Sequence, residues 1–253
     1  MKKFFLPVLM FSTSISMFIN ADAKIPVEHF WCESAMTSGT LSPNGKYFAA
    51  MVPASGPQCS ISADEDDQSP RVLLVINLET NTPQVLSGTA SNARIVWFTS
   101  LSDSRIAFYR QPQAGLDAYS MWAINVDGTK PKLLVPGKWE DGYPTGANLM
   151  DTLYEDDQHV LVSYNKRRPT VTDIYKLNIY SGKLTMLAKD PVIDNQTALG
   201  WAIDQQGNVR GYVAVKGLYT YLYHRNDNKS DFKLLRKFKF QEPSFGISSY
   251  DYD

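Results

Sequence analysis

The stretch INLETNTPQVL at residues 76–86 reads as strand, turn, strand. It returns as INVDGTKPKLL at 124–134, as LNIYSGKLTML at 177–187 and, more weakly, as RNDNKSDFKLL at 225–235. Each copy carries an asparagine, Asn77, Asn125, Asn178 and Asn226, followed nine residues later by Leu86, Leu134, Leu187 and Leu235. The asparagines lie 48, 53 and 48 residues apart. Self-similarity at a period near 50 residues marks a repeat architecture, and the contents of one period decide which.

Each period holds short runs of β-branched and aromatic residues separated by turn formers, with no amphipathic stretch of helical length. In the second period the runs are ARIVWF (93–98), RIAFYR (105–110), YSMWAIN (119–125) and PKLLV (131–135). An upstream turn recurs too, as SPNGK (42–46), SLSDS (100–104), EDDQ (155–158) and DQQGN (204–208), and Gly and Asn there supply positive φ angles. Four strands per period make one propeller blade. The expected fold is therefore all-β, a partial β-propeller of about four four-stranded antiparallel blades near 39–88, 93–137, 148–190 and 198–238. On this reading the repeated Asn ends the third strand of a blade and the Leu lies on its outermost strand. Residues 53–70 form an insertion in blade one. Its run Asp64, Glu65, Asp66, Asp67 reads as a solvated loop, because the glycine a calcium loop needs at its sixth position is missing.

Working outward, residues 1–23 have the pattern of a secretory signal peptide: basic Lys2 and Lys3, an apolar run from Phe4, and a small-x-small site at Ala21-Asp22-Ala23. Cleavage is expected between Ala23 and Lys24, leaving 24–253 as the propeller domain, four blades and the start of a fifth. Ser12, Thr13, Ser14 and Ser16 interrupt the apolar run, which falls short of the roughly 20 residues that span a bilayer. A periplasmic or secreted location follows, with no membrane insertion after cleavage. The remaining chain balances basic against acidic side chains, so neither nucleic acid nor an anionic lipid surface is an expected partner. In an oxidising compartment Cys32 and Cys59, the only cysteines, are expected to pair, stabilising the fold by about 3 to 4 kcal/mol; two separate buried thiols are the alternative. A metal site is disfavoured, since there is no Cys-x-x-Cys and no histidine beside either cysteine.

Catalytic signals fail one by one. GTLSPNGK (39–46) spaces its glycines wrongly for a phosphate loop and places Tyr47 where Ser or Thr should ligate magnesium. GISSY (246–250) starts like a nucleophile elbow, but Tyr250 replaces its second glycine. His29, His159 and His224 are scattered and read as hydrogen-bonded or solvent-facing. Trp97, Trp122 and Trp201 read as blade packing, whereas Trp139, in the inter-blade stretch GKWEDGYPTG, sits where propellers tend to carry function. No catalytic, cofactor-binding or metal residue is assigned, and no cofactor is implied.

IPVEHFW (25–31), LSPNGKYFAA (41–50), IVWFTSLSDSRIAF (95–108), IYKLNIYSGKL (174–184) and GWAIDQQGNVRGY (200–212) together resemble the N-terminal propeller of exported bacterial serine peptidases of the prolyl oligopeptidase family. The likeness is greatest to dipeptidyl and acylaminoacyl peptidase-like members and covers essentially the whole chain after the signal. Each motif alone is moderately specific, because Tol-system propellers share the Ser-Pro-Asp-Gly-Lys turn, here with Asn44 for Asp. The resemblance implies a seven- or eight-bladed propeller capping a C-terminal α/β-hydrolase domain that bears the Ser, Asp and His. That catalytic domain is absent from 24–253, so no catalytic residue carries over. The expected function is the propeller portion of a periplasmic or secreted serine peptidase, gating or binding peptide substrate. The alternative is a stand-alone, non-catalytic envelope module that binds a peptide, glycan or protein partner. With four blades, the flank of the last one is expected to expose apolar surface.

Overall fold

A computed structural model describes residues 35–54, 71–87, 94–111, 118–153, 155–191, 197–243, 245–247 and 250. The signal cleavage site at Ala23 and Lys24, both cysteines Cys32 and Cys59, His29, Trp31 and most of the blade-one insertion lie outside them. Blade one comprises β1 (Thr37–Leu41), β2 (Tyr47–Pro53), β3 (Arg71–Asn77) and β4 (Thr82–Ser87). Blade two comprises β5 (Arg94–Ser102), β6 (Arg105–Gln111), β7 (Ser120–Asn125) and β8 (Lys132–Val135). A hairpin of β9 (Lys138–Glu140) and β10 (Tyr143–Thr145) leads into blade three: β11 (Ala147–Asp151), β12 (His159–Arg168), β13 (Val171–Asn178) and β14 (Leu184–Ala188). Blade four is β15 (Thr197–Ile203), β16 (Val209–Lys216), β17 (Tyr219–His224) and β18 (Lys233–Lys239). In every blade the strands pair antiparallel in chain order, and the blades do not close into a ring.

The core lies between blades, and strand periodicity explains why. Successive side chains leave a strand on opposite faces. In β6, Ile106 and Phe108 enter the seam with blade one, beside Leu73, Val75 and Met51. Ala107 and Tyr109 enter the seam with blade three, beside Val160, Val162 and Leu177. A strand covered on both faces therefore reads as the near-continuous apolar run RIAFYR. A third seam joins blades three and four through Ile174, Ala188, Leu187 and Trp201.

The repeated leucine belongs to these seams. Leu86, Leu134 and Leu187, each on the fourth strand of its blade, pack into the first, second and third seam. Burying such a side chain contributes about 1.5 to 3 kcal/mol. Leu235 has the same place on β18 but remains 58 % exposed, and no sheet of the described residues covers it. The neighbouring Leu234 and Phe240 are exposed as well. Beyond β18, Phe245 packs edge-on against Phe238, with ring centroids 5.1 Å apart, so the chain turns back over the outer face of blade four.

The repeated asparagine needs one correction. Asn77 and Asn178 end β3 and β13, and each Oδ1 accepts the backbone N–H groups two and three residues on. Asn125 ends β7 but lends its Oδ1 to Arg105, while Asp127 caps the turn by accepting from Thr129 N. Asn226 lies outside β17, and Asp227 makes the equivalent bonds, to Lys229 N and Ser230 N at 2.8 Å each. The turn starts later because Arg225 is drawn inward, its Nε donating to Val209 O and its Nη2 to Leu187 O of blade three.

Candidate ligand-binding cleft

Antiparallel order places the starts of β5, β7, β11 and β13, and the ends of β6 and β12, on one rim of the propeller. On that rim, where blades two and three meet, a cavity of about 390 Å³ is lined by Val96, Trp97, Tyr109, Tyr119, Asn148 and Leu149. A second, of about 250 Å³, lies alongside and shares Tyr119 and Asn148, with Thr145, Asn165 and Thr172 among its other walls.

The walls are held from behind. Tyr109 stands on a buried strand, and its hydroxyl accepts from Leu149 N at 2.9 Å, tying blade two to blade three. Burial pushes this phenol up to about 12, outweighing the Leu149 bond, so it stays neutral. The Trp97 and Tyr109 rings meet at 5.3 Å and 55°. On the other side, the β9–β10 hairpin turns through Asp141 and Gly142, both at positive φ, the pair of conformations a two-residue hairpin requires. Asn165 fastens the hairpin base: its Oδ1 accepts from Gly146 N at 2.9 Å, and its Nδ2 donates to Pro144 O at 2.8 Å and Pro169 O at 2.7 Å. Gly137 lies so close to the Tyr119 backbone that a Cβ there would stand 2.4 Å from its carbonyl carbon. Only glycine allows that approach, and with it the position of Tyr119 in the cleft wall.

The sequence-based expectations for single residues divide. Trp122 stacks on Phe108 and Trp201 packs on Tyr212, both as blade packing. Trp97 departs from that expectation: it is 41 % exposed and walls the open cleft, because β5 is the first strand of its blade and this part of it faces the rim. Trp139 is half-exposed on β9, in register with Pro144, and does not line either cavity. His159 opens β12 with Nδ1 2.9 Å from Asp156 Oδ1 and Nε2 3.2 Å from Asn178 Nδ2, a hydrogen-bonded turn residue as expected. His224 ends β17 near Tyr250, and burial, then the Arg210 charge, pushes its imidazole down. Among the described residues, no three His, Cys, Asp or Glu side chains gather to hold a metal, and no helix is long and apolar enough to cross a membrane.

A second polar cluster, unannounced in the sequence, stands on the same rim in blade three. Arg167 grips Asp173 with two bonds, of 3.0 and 2.8 Å, and donates to Asp190 O. Asp190 is only 6 % exposed, and its Oδ1 has no hydrogen-bond partner among the described residues. Burial first, then the Asp173 charge, raises its carboxyl above the ordinary carboxylate value. The unfolded chain thus ionises Asp190 at lower pH than the fold does, so this group's contribution to stability is greatest in acid and falls as pH rises. Asp190→Asn is expected to raise Tm more at pH 7 than at pH 4 in scanning calorimetry; equal gains at both would contradict the assignment.

No protein-family model and no curated protein sequence matches the chain. Solved structures do match. A prolyl endopeptidase, described in work on inter-domain dynamics in catalysis and specificity, aligns over 85 % of this chain and 32 % of its own, with TM-score 0.51 and 15 % identity. An oligogalacturonate lyase in complex with manganese aligns over 84 % of this chain and 57 % of its own (TM-score 0.48, 13 % identity). A Mycobacterium tuberculosis puromycin-hydrolyzing peptidase covers 79 % of this chain and 31 % of its own (TM-score 0.44, 15 % identity). The chain therefore spans about a third of the length of the two peptidases. At such identity the prolyl endopeptidase match carries the propeller fold and nothing finer.

Proposed function

We propose that the chain is the substrate-binding propeller portion of an exported serine peptidase, periplasmic or secreted, and that it holds peptide in the cleft between blades two and three. The observation that carries this reading is the cleft itself. A concave, largely apolar pocket of several hundred Å³ with a few placed polar groups is the usual form of a ligand site, and the cavity walled by Trp97, Tyr109 and Asn148 has that form. The sequence resemblance to prolyl oligopeptidase propellers, and the fold shared with a prolyl endopeptidase, support peptide as the ligand. No Ser, His and acid triad is assigned between Lys24 and Asp253, so binding by these residues alone, without transition-state stabilisation, is expected to give no turnover. Export would also join Cys32 to Cys59.

The test is a fluorescence titration of the purified protein with a casein hydrolysate, a mixture of peptides. A saturable change in tryptophan emission is expected, and Trp97→Ala should weaken the binding about thirtyfold, as loss of a central aromatic anchor does. No saturable response, or one unaltered in Trp97→Ala, would refute the reading.

A further inference from the structure

The two cavities share a wall and form one groove of two unlike halves. Val96, Trp97, Tyr109 and Leu149 make one half apolar and aromatic. Pro144, Thr145, Gly146, Ala147 and Thr172 make the other small and more polar. Among the described residues, no Asp, Glu, Lys, Arg or His lines either half. A charged ligand group entering here would give up its water and meet no counter-charge from these described walls, which favours a neutral group.

Most of the polar groups around the groove are already committed. Asn165 spends its amide on Gly146, Pro144 and Pro169. The Thr145 hydroxyl donates to Lys138 O, and the Tyr109 hydroxyl accepts from Leu149 N. Asn148 stands at the wall common to both halves. Its primary amide offers an acceptor and two donors, which match the N–H and C=O of a peptide bond.

Resting on the peptide-binding reading above, we propose that the groove takes an extended, uncharged stretch of peptide with the pattern aromatic-x-small. The aromatic or large apolar side chain enters the Trp97–Tyr109 half, and the small residue two positions on enters the Thr145–Thr172 half. The Asn148 amide pairs with the peptide backbone between them. Extended geometry fits this division, because residues i and i+2 point to the same side about 6.7 Å apart. A sugar chain is disfavoured, since it would bury hydroxyls against the apolar Val96 and Leu149 side chains.

The test uses the purified protein with three capped peptides, acetyl-Phe-Ala-Ser-amide, acetyl-Glu-Ala-Ser-amide and acetyl-Phe-Ala-Trp-amide, measured by calorimetry beside maltotetraose and indole. The Phe-Ala-Ser peptide should bind at least about tenfold more tightly than the other two, given the neutral and size-graded walls. Asn148→Leu should weaken it about fivefold to tenfold, the value of one or two hydrogen bonds, while indole should still bind, showing that the aromatic half remains formed. Equal affinity for the Phe and Glu peptides, an unchanged Asn148→Leu, or tighter binding of maltotetraose would overturn the proposal. If the casein hydrolysate still binds when the capped peptides show no preference, this inference alone fails; if no peptide of any kind binds, the functional reading fails with it.

Discussion

Replacing Arg105 by Met is expected to lower the free energy of unfolding by about 3 to 5 kcal/mol, the largest effect of any single change outside the apolar core. The side chain is 1 % exposed and crosses the seam between blades two and three. Its Nε donates to Ile179 O of blade three at 2.8 Å, and its Nη1 donates to Asn125 Oδ1 at 2.6 Å. Lys130 O accepts at 3.2 Å, and the guanidinium lies 4.7 Å from the Tyr180 ring centroid. No carboxylate faces it in these contacts, and burial holds its pKa below the usual guanidinium value. Met fills similar space but leaves those three acceptors without their donor, each at a cost of about 1 to 3 kcal/mol where water cannot replace it. Arg105→Lys should recover only part, because a compact ammonium cannot reach both blades at once. Urea unfolding followed by circular dichroism measures the loss. A loss under about 1 kcal/mol would mean that the seam does not depend on this bolt.

Arg167→Met should be nearly as damaging, by about 3 to 5 kcal/mol, for the opposite reason: it leaves a buried anion alone. Asp173 is fully buried, whereas Arg167 reaches solvent along part of its length. Without the guanidinium, Asp173 retains the Asp190 N–H at 2.8 Å and a long contact from the Tyr175 hydroxyl. Those do not offset the cost of a carboxylate held out of water. Replacing both partners, Arg167→Met with Asp173→Leu, should restore stability to within about 1 to 2 kcal/mol of the parent, because the double change removes the stranded charge. A double variant no more stable than Arg167→Met would show that the pair acts through something other than charge compensation.

These two arginines also mark where reading the sequence stops. Blade boundaries were legible because they depend on local chemistry: a four-strand period, Gly and Asn in turns, and an Asn side chain that caps the turn just after it. The first, second and third sheets fall where the repeat placed them, and Leu86, Leu134 and Leu187 fill the seams. Asn226 was misread because Asp227, one residue on, is equally able to cap, and the choice was made by Arg225 reaching to blade three. Nothing beside Arg105 or Arg167 in the chain hints at burial, since their acceptors or partners are supplied by folding. The cleft was hidden for the same reason. Trp97 and Trp122 sit in similar apolar strands, and only the meeting of two blades sends one to the rim and the other into a seam. Asn148 and Asn165 are ordinary strand asparagines in sequence; one faces the groove and the other secures the hairpin.

The most direct test of the account follows the indole N–H signals of the chain's five tryptophans by nuclear magnetic resonance while the casein hydrolysate is added. Trp97, on the open rim, should shift progressively and saturate, while Trp122 and Trp201, locked in the seams, should stay in place. Shifts concentrated on Trp122 or Trp201, or a Trp97 signal that never moves, would contradict a peptide site between blades two and three.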